Sequence, residues 1–299
     1  MIEIRNCVKD YSDNRAVEDI TVTIPEGCSY GLLGSNAAGK STLLKMMTGI
    51  YRPTAGTITI DGEPVYDNAG IKERLFFVDD ETVQYSNMTL GQMRNYYKRF
   101  YPTFDEKLFE KLRETVGLPE DKKMHKFSKG MKRQAVVICG VACRTKYLFI
   151  DEAFDGLDQM MRTIIKNILI DEMLDNKLTV VFSSHNLSEI DEFCDRVGLL
   201  HAGKMLLDRE LDSVKSDIVK VRAAFDREIT ADDLPELDVK YISVTGSLTD
   251  IIAAGGAEKV RAAVEKLSPK LCDLTKLSLK EIFIYEMEGV GYDGSKLEE

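Results

Sequence analysis

Residues 34–42 read Gly34-Ser35-Asn36-Ala37-Ala38-Gly39-Lys40-Ser41-Thr42, the pattern G-x-x-x-x-G-K-[ST]. Each part has a physical task. A loop of this kind turns backbone N–H groups inward and forms a nest for an anion. The helix that follows aims its N-terminus at the same point. A lysine at position 40 reaches terminal phosphates, and the Ser41 hydroxyl is placed to ligate Mg²⁺. The flanks supply the context the pattern requires. Tyr30-Gly31-Leu32-Leu33-Gly34 is a short apolar run ending in glycine, and residues 40–48 carry a helical pattern closed by Gly49. An accidental glycine-rich turn is the alternative, and it leaves the strand-loop-helix order unexplained.

Three further stretches complete the set. Tyr147-Leu148-Phe149-Ile150 is an unbroken apolar run that ends in Asp151-Glu152. Such a run suits a central parallel strand buried on both faces. A carboxylate at its end can hold the Mg²⁺ shell, which falls to Asp151, and Glu152 is placed to act on an attacking water. Phe127-Ser128-Lys129-Gly130-Met131-Lys132-Arg133-Gln134 precedes it; alone it reads only as a helix with Ser128 at the N-cap. Ser128 lies 151 − 128 = 23 residues before Asp151, and His185 lies 185 − 151 = 34 residues after it, behind the apolar run Leu178-Thr179-Val180-Val181-Phe182. Strand, helix and strand in alternation indicate a doubly wound α/β sheet.

In the order and spacing of these stretches the chain resembles the ATP-binding subunit of an ABC transporter, over residues 1 to about 207. It is most similar to bacterial drug and peptide exporter ATPases with a Ser-Lys-Gly-Met signature, the peptide-toxin and antimicrobial-peptide type. Phe100-Tyr101-Pro102-Thr103-Phe104-Asp105, residues 183–190 and Leu277-Ser278-Leu279-Lys280-Glu281-Ile282-Phe283 carry the same likeness. The resemblance implies a P-loop NTPase fold of the RecA-like type, with a mixed sheet, an inserted helical subdomain and a small C-terminal α+β domain. It also implies roles. Tyr11 would stack on adenine. Asn36, Ala37, Ala38, Gly39, Lys40, Ser41 and Thr42 would wrap the phosphates. Asp151 would hold Mg²⁺ through water, with Ser41 as direct ligand. Glu152 would polarise the hydrolytic water, and His185 would touch the γ-phosphate. Ser128, Lys129, Gly130 and Met131 would bind the ATP of a second ATP-binding subunit, a copy or a paralogue, and Asp155-Gly156-Leu157-Asp158 would cross the interface between the two. The partner of both would be a transmembrane permease subunit, with this chain peripheral on the cytoplasmic face of the membrane and ATP turnover driving export, of a peptide by preference.

The chain departs from the family pattern at four places. Asp80 aligns where the family usually has a glutamine that ligates Mg²⁺, with Asp79 the alternative alignment; a carboxylate there adds negative charge near the γ-phosphate. Lys129 replaces a usual glycine and is expected to offset charge across the interface. Ala37 replaces a common glycine, harmless where φ is negative. Ala153 stands where proline is common.

Length and composition agree. At 299 residues, two domains are expected: an ATPase domain over 1–207 with helices inserted at about 86–146, and an accessory domain over 208–288 followed by a polar tail at 289–299. In the accessory domain Val219, Val221, Ala223 and Phe225 alternate as a strand, with Ile242 and Val244 as a candidate partner strand, and residues 257–267 read as a helix. Residues 95–111 are dense in aromatics, which serve as helix core, as a docking face, or both. The hydrophobic share of 44% excludes global disorder, and a net charge of −10 argues against a nucleic-acid binder. The longest apolar run, residues 135–143, is far short of the ~18–20 residues that span a bilayer. The start, Met1-Ile2-Glu3-Ile4-Arg5, lacks a signal-peptide apolar region, so a cytosolic chain is expected. Six cysteines without a Cys-x-x-Cys pair and three histidines indicate free thiols and no zinc site. A non-transport ABC ATPase, a regulator or scaffold, is the competing function; a P-loop kinase explains neither the Ser128 stretch nor His185.

Overall fold

The computed structural model describes residues 1–12, 14–79, 87–152 and 154–289. They form two compact units, Met1–Asp208 and Arg209–Glu299.

The first unit runs β1 (Ile2–Tyr11), β2 (Asn14–Ile24), β3 (Ser29–Leu33), α1 (Lys40–Met47), β4 (Ala55–Ile60), β5 (Glu63–Pro64), α2 (Ala69–Lys72) and β6 (Leu75–Val78). It continues with α3 (Leu90–Phe100), α4 (Glu106–Val116), α5 (Lys129–Ala142), β7 (Tyr147–Ile150), α6 (Gln159–Asn176), β8 (Thr179–Ser184), α7 (Leu187–Phe193), β9 (Arg196–His201) and β10 (Lys204–Glu210). An antiparallel sheet has the order β2-β1-β4-β5, and a six-stranded sheet the order β10-β9-β3-β8-β7-β6. Every residue of β3, β7 and β8 is buried, as strands covered on both faces require. These three run parallel and adjacent, with β8 between β3 and β7. Their carboxyl ends therefore open on one edge of the sheet, where ligands bind in open α/β folds. The loops carrying Lys40, Asp151 and His185 all leave from that edge. Between the two sheets Ile2, Ile4, Tyr30, Leu32, Leu43, Leu44, Phe149 and Val181 form one apolar cluster with α1.

The inserted segment is helical because each helix has its stop and start signals. Thr89 and Gln92 form a capping box on α3, Asp105 caps α4, and Gly117 ends α4 in the left-handed region. The aromatic stretch divides by helix face. Tyr97 and Phe109 are buried, whereas Tyr96 and Phe100 are exposed, at 40% and 58%. Arg133, buried on α5, donates to the Asp151 carbonyl at 2.9 Å and ties the insert to the end of β7.

The second unit comprises α8 (Leu211–Asp217), β11 (Ile218–Ala224), β12 (Asp238–Thr245), β13 (Leu248–Ala254), α9 (Ala257–Glu265), β14 (Leu271–Lys276) and α10 (Leu279–Gly289). Its antiparallel sheet has the order β12-β13-β11-β14. The strand expected to pair with β11 pairs with β13 instead, Ile242 opposite Ile251. The turn between Thr245 and Leu248, with Gly246 at φ 64°, makes a hairpin that the alternation of apolar residues did not specify. Val221, Ala223, Ile251, Val260 and Val264 fill the core under α9. All six cysteines are free thiols. Among the described residues no helix is long and apolar enough to cross a membrane. The expected tail lies, from residue 290 onward, outside the described residues.

Candidate functional site

The loop after β3 bends into a left-handed turn before α1. Gly39 sits at φ 107°, and a Cβ there would lie 2.3 Å from the Ala16 carbonyl oxygen, so only glycine fits. Ala37 is also left-handed, at φ 62°, which overturns the condition under which its replacement of glycine costs nothing. No side chain caps the N-terminus of α1, so its N–H groups face the loop. Lys40 is buried, and its ammonium donates to the carbonyl oxygens of Gly34 at 2.7 Å and Ser35 at 3.1 Å. A cavity of about 600 Å³ lies over this loop, lined by Tyr11, Asn36 through Thr42 and Glu152. Asn14, Arg15, Ala16, Ala202 and Gly203 complete the wall. These five have no local signature; the start of β2 and the turn between β9 and β10 reach the site only through the fold.

Tyr11 is 40% exposed and edge-on to Tyr51, with ring centroids 6.1 Å apart. Partial burial pushes its hydroxyl pKa up, and a hydrogen bond with Thr42 acts against that.

Glu152 occupies the left-handed region at φ 50°, unusual for a non-glycine residue. Its carboxylate spans two partners: Oε1 is 3.5 Å from Lys40 Nζ, and Oε2 is 2.9 Å from His185 Nδ1. The Ser183 hydroxyl accepts from the Glu152 backbone N–H at 2.7 Å and donates to Asp151 Oδ1 at 2.6 Å. Asp151 is thus buried and oriented by Ser183, and Glu152 is fixed beside it. Lys40 and His185, read separately from sequence, meet at the Glu152 carboxylate, and Asp151 is joined to Glu152 through Ser183. Asp80 lies outside the described residues. Asp79, the alternative alignment, is 3.4 Å from Lys45 on α1.

The Ser128 stretch is built differently. Ser128 Oγ accepts from the Met131 N–H at 3.2 Å, capping α5, the longest helix of the insert. Lys129 Nζ lies 2.5 Å from Asp155 Oδ2 of the same subunit. Within the subunit Lys129 is thus paired with Asp155, whereas the expectation from sequence concerned charge across an interface. Its ammonium holds the Asp155 carboxyl below its ordinary value. Asp158 caps α6 by accepting from the Met161 N–H at 2.9 Å. None of residues 128–131 or 155–158 lines the cavity over the phosphate loop.

The sequence profile of the ABC transporter family matches residues 17–155. The Enterococcus faecalis bacitracin transport ATP-binding protein BcrA is 31% identical, with 69% of this chain and 68% of that protein covered. The Bacillus subtilis ABC transporter ATP-binding protein YtrB is 27% identical over 97% of this chain and 99% of its own length. Among solved structures, a dimeric, post-hydrolysis ATP-binding cassette with ADP and phosphate superposes with a TM-score of 0.63 at 20% identity, over 71% of this chain and 99% of that one. The chain belongs to the ABC transporter family as an ATP-binding subunit, with the fold of the ATP-hydrolysing cassettes.

Proposed function

We propose that the chain powers an exporter: two such subunits, copies or paralogues, close on ATP and transmit hydrolysis to a transmembrane permease that moves a peptide outward. The observation that carries this reading is the division of the site. The cavity over the phosphate loop gathers Lys40, Glu152 and the N-terminus of α1, while the capped N-terminus of α5 lies outside that cavity. A phosphate ester seated on the loop meets the first set only; the N–H groups and Ser128 hydroxyl at α5 await a ligand held by another subunit.

In this reading Tyr11 stacks on the base, and the N–H groups of residues 36–42 with the Lys40 ammonium bind the phosphates. Lys40 exchanges its present acceptors, the Gly34 and Ser35 carbonyls, for phosphate oxygens. Glu152 orients water, and His185 holds Glu152 and the terminal phosphate together. A hydroxyl and a buried carboxylate are the oxygen donors Mg²⁺ prefers, so Ser41 and Asp151 would hold it, where its charge would neutralise the phosphates. Ser128, Gly130 and the D-loop residues 155–158 complete the second subunit's site.

Export of a peptide is supported by the likeness to BcrA, whose name concerns bacitracin transport. The seat is the cytoplasmic face of the membrane, through the permease. The test is an affinity capture of tagged Glu152→Gln from detergent-solubilised membranes with Mg-ATP, read by mass spectrometry. A stoichiometric polytopic membrane protein is expected. A purely soluble catch, ribosomes or DNA, would overturn transport in favour of a regulatory ABC ATPase.

A further inference from the structure

Two charged residues with no role assigned from sequence link the two halves of the site within one subunit. Arg162, in the first turn of α6, donates from Nε to the Leu157 carbonyl at 3.0 Å and from Nη1 to Glu189 Oε1 at 3.0 Å. Glu189, on α7, uses its other oxygen to accept from Ser184 Oγ at 2.6 Å. Ser184 Oγ in turn accepts from the Asn186 N–H at 2.9 Å. The backbone is therefore pinned on both sides of His185. The pair is shielded, with side chains 29% and 12% exposed. Burial pushes the Glu189 carboxyl pKa up, against the pull of Ser184 and Arg162.

The two loops so joined carry different parts of the site. The first, residues 155–158, lies against the start of α5: a Cβ on Gly130 would be 2.5 Å from the Gly156 carbonyl oxygen, and Lys129 holds Asp155. The second presents His185 to Glu152 at 2.9 Å. Hydrogen bonds thus run from Lys129 through Asp155, the 155–158 backbone, Arg162, Glu189 and Ser184 to the turn bearing His185.

We propose that Arg162 and Glu189 are positioning residues for ATP hydrolysis: their ion pair joins the 155–158 loop and the His185 loop into one body, which keeps the first turn of α5 in register with the Glu152–His185 pair. The proposal rests on the assignment of Glu152 and His185 to the hydrolytic step. Neither residue of the pair lines the nucleotide cavity, so binding of ATP to the phosphate loop does not depend on them. An ion pair that acts as one unit is lost with either member, and removing the second then adds little.

The test is steady-state ATP hydrolysis by Arg162→Gln, Glu189→Gln and the double variant, with Glu152→Gln alongside. Each single variant is expected to lose about tenfold in kcat with KM for ATP within about twofold, and the double variant to be no slower than the slower single. Glu189→Gln keeps an acceptor for Ser184 and guards against a fold defect; Arg162→Lys, with charge but no fork, should fall between wild type and Arg162→Gln. Unchanged kcat in both singles, losses that multiply, or a KM that rises in step with the fall in kcat would overturn the positioning role. Wild-type turnover by Glu152→Gln would instead overturn the assignment of the base, and the proposal with it.

Discussion

The phosphate-loop face and the α5 face of the same subunit make opposite use of a helix N-terminus. At α1 the end is uncapped, preceded by a left-handed glycine and covered by a cavity of about 600 Å³. At α5 it is capped by Ser128 and packed against the Gly156 backbone. The first is shaped to take up an anion within the subunit. At the second, Ser128 and Lys129 are exposed while Gly130 is buried, and in the proposed function this end meets a ligand held by another subunit. In the proposed reading, a site divided in this way makes ATP the joint between two subunits, which is what a motor needs and a simple hydrolase does not.

Gly130→Ala attacks the α5 face alone, because its Cβ would collide with the Gly156 carbonyl oxygen at 2.5 Å. Turnover is expected to fall by about 100-fold, the scale of an ångström-sized misplacement, with ATP affinity of the single subunit unchanged. Stopped-assay rates and nucleotide titration separate the two; a matched loss of affinity would erase the distinction between the faces.

Lys40→Met reverses the pattern. It keeps the buried stem and removes the ammonium, so ATP binding should weaken by about 10- to 100-fold, the worth of a charge-assisted hydrogen bond to phosphate. Calorimetric titration checks it.

Ala37→Gly sharpens the account of strain in the phosphate loop. Releasing a left-handed alanine at φ 62° should raise stability by about 0.5–1 kcal/mol, after the entropy cost of glycine. Urea unfolding reads the change, and a loss of stability would show that Ala37 is unstrained.

The smallest effect expected is none. The Asp155 pKa is lowered in the fold by Lys129, so the pair's contribution is present above the ordinary carboxylate value and is lost only as pH falls through the lowered one. Between pH 6 and 8 the wild type and Asp155→Asn should show ATPase profiles of the same shape.

What the sequence made legible follows the same division. The phosphate loop, the β7 carboxylates, His185 and the Ser128 cap are local patterns, and a single pass along the chain finds them. Arg133 reaches the Asp151 carbonyl 18 residues away and Arg162 reaches Glu189 27 residues away, and no spacing announces either contact. Tyr97 and Tyr96 differ in burial because adjacent helical residues point about 100° apart; the Met93–Tyr97 and Tyr96–Phe100 spacings held that signal. The left-handed Ala37 and Glu152 are set by tertiary structure, since neither residue type favours that region. The pairing of β12 with β13 was hidden because alternation marks a strand without naming its neighbour.

The most direct test of the divided site is the mass of Glu152→Gln in solution, by size exclusion with light scattering, without and with Mg-ATP. The account predicts a monomer that becomes a dimer when ATP is added and stays one because the nucleotide is not hydrolysed. A variant that binds ATP, fails to hydrolyse it and remains a monomer would contradict it.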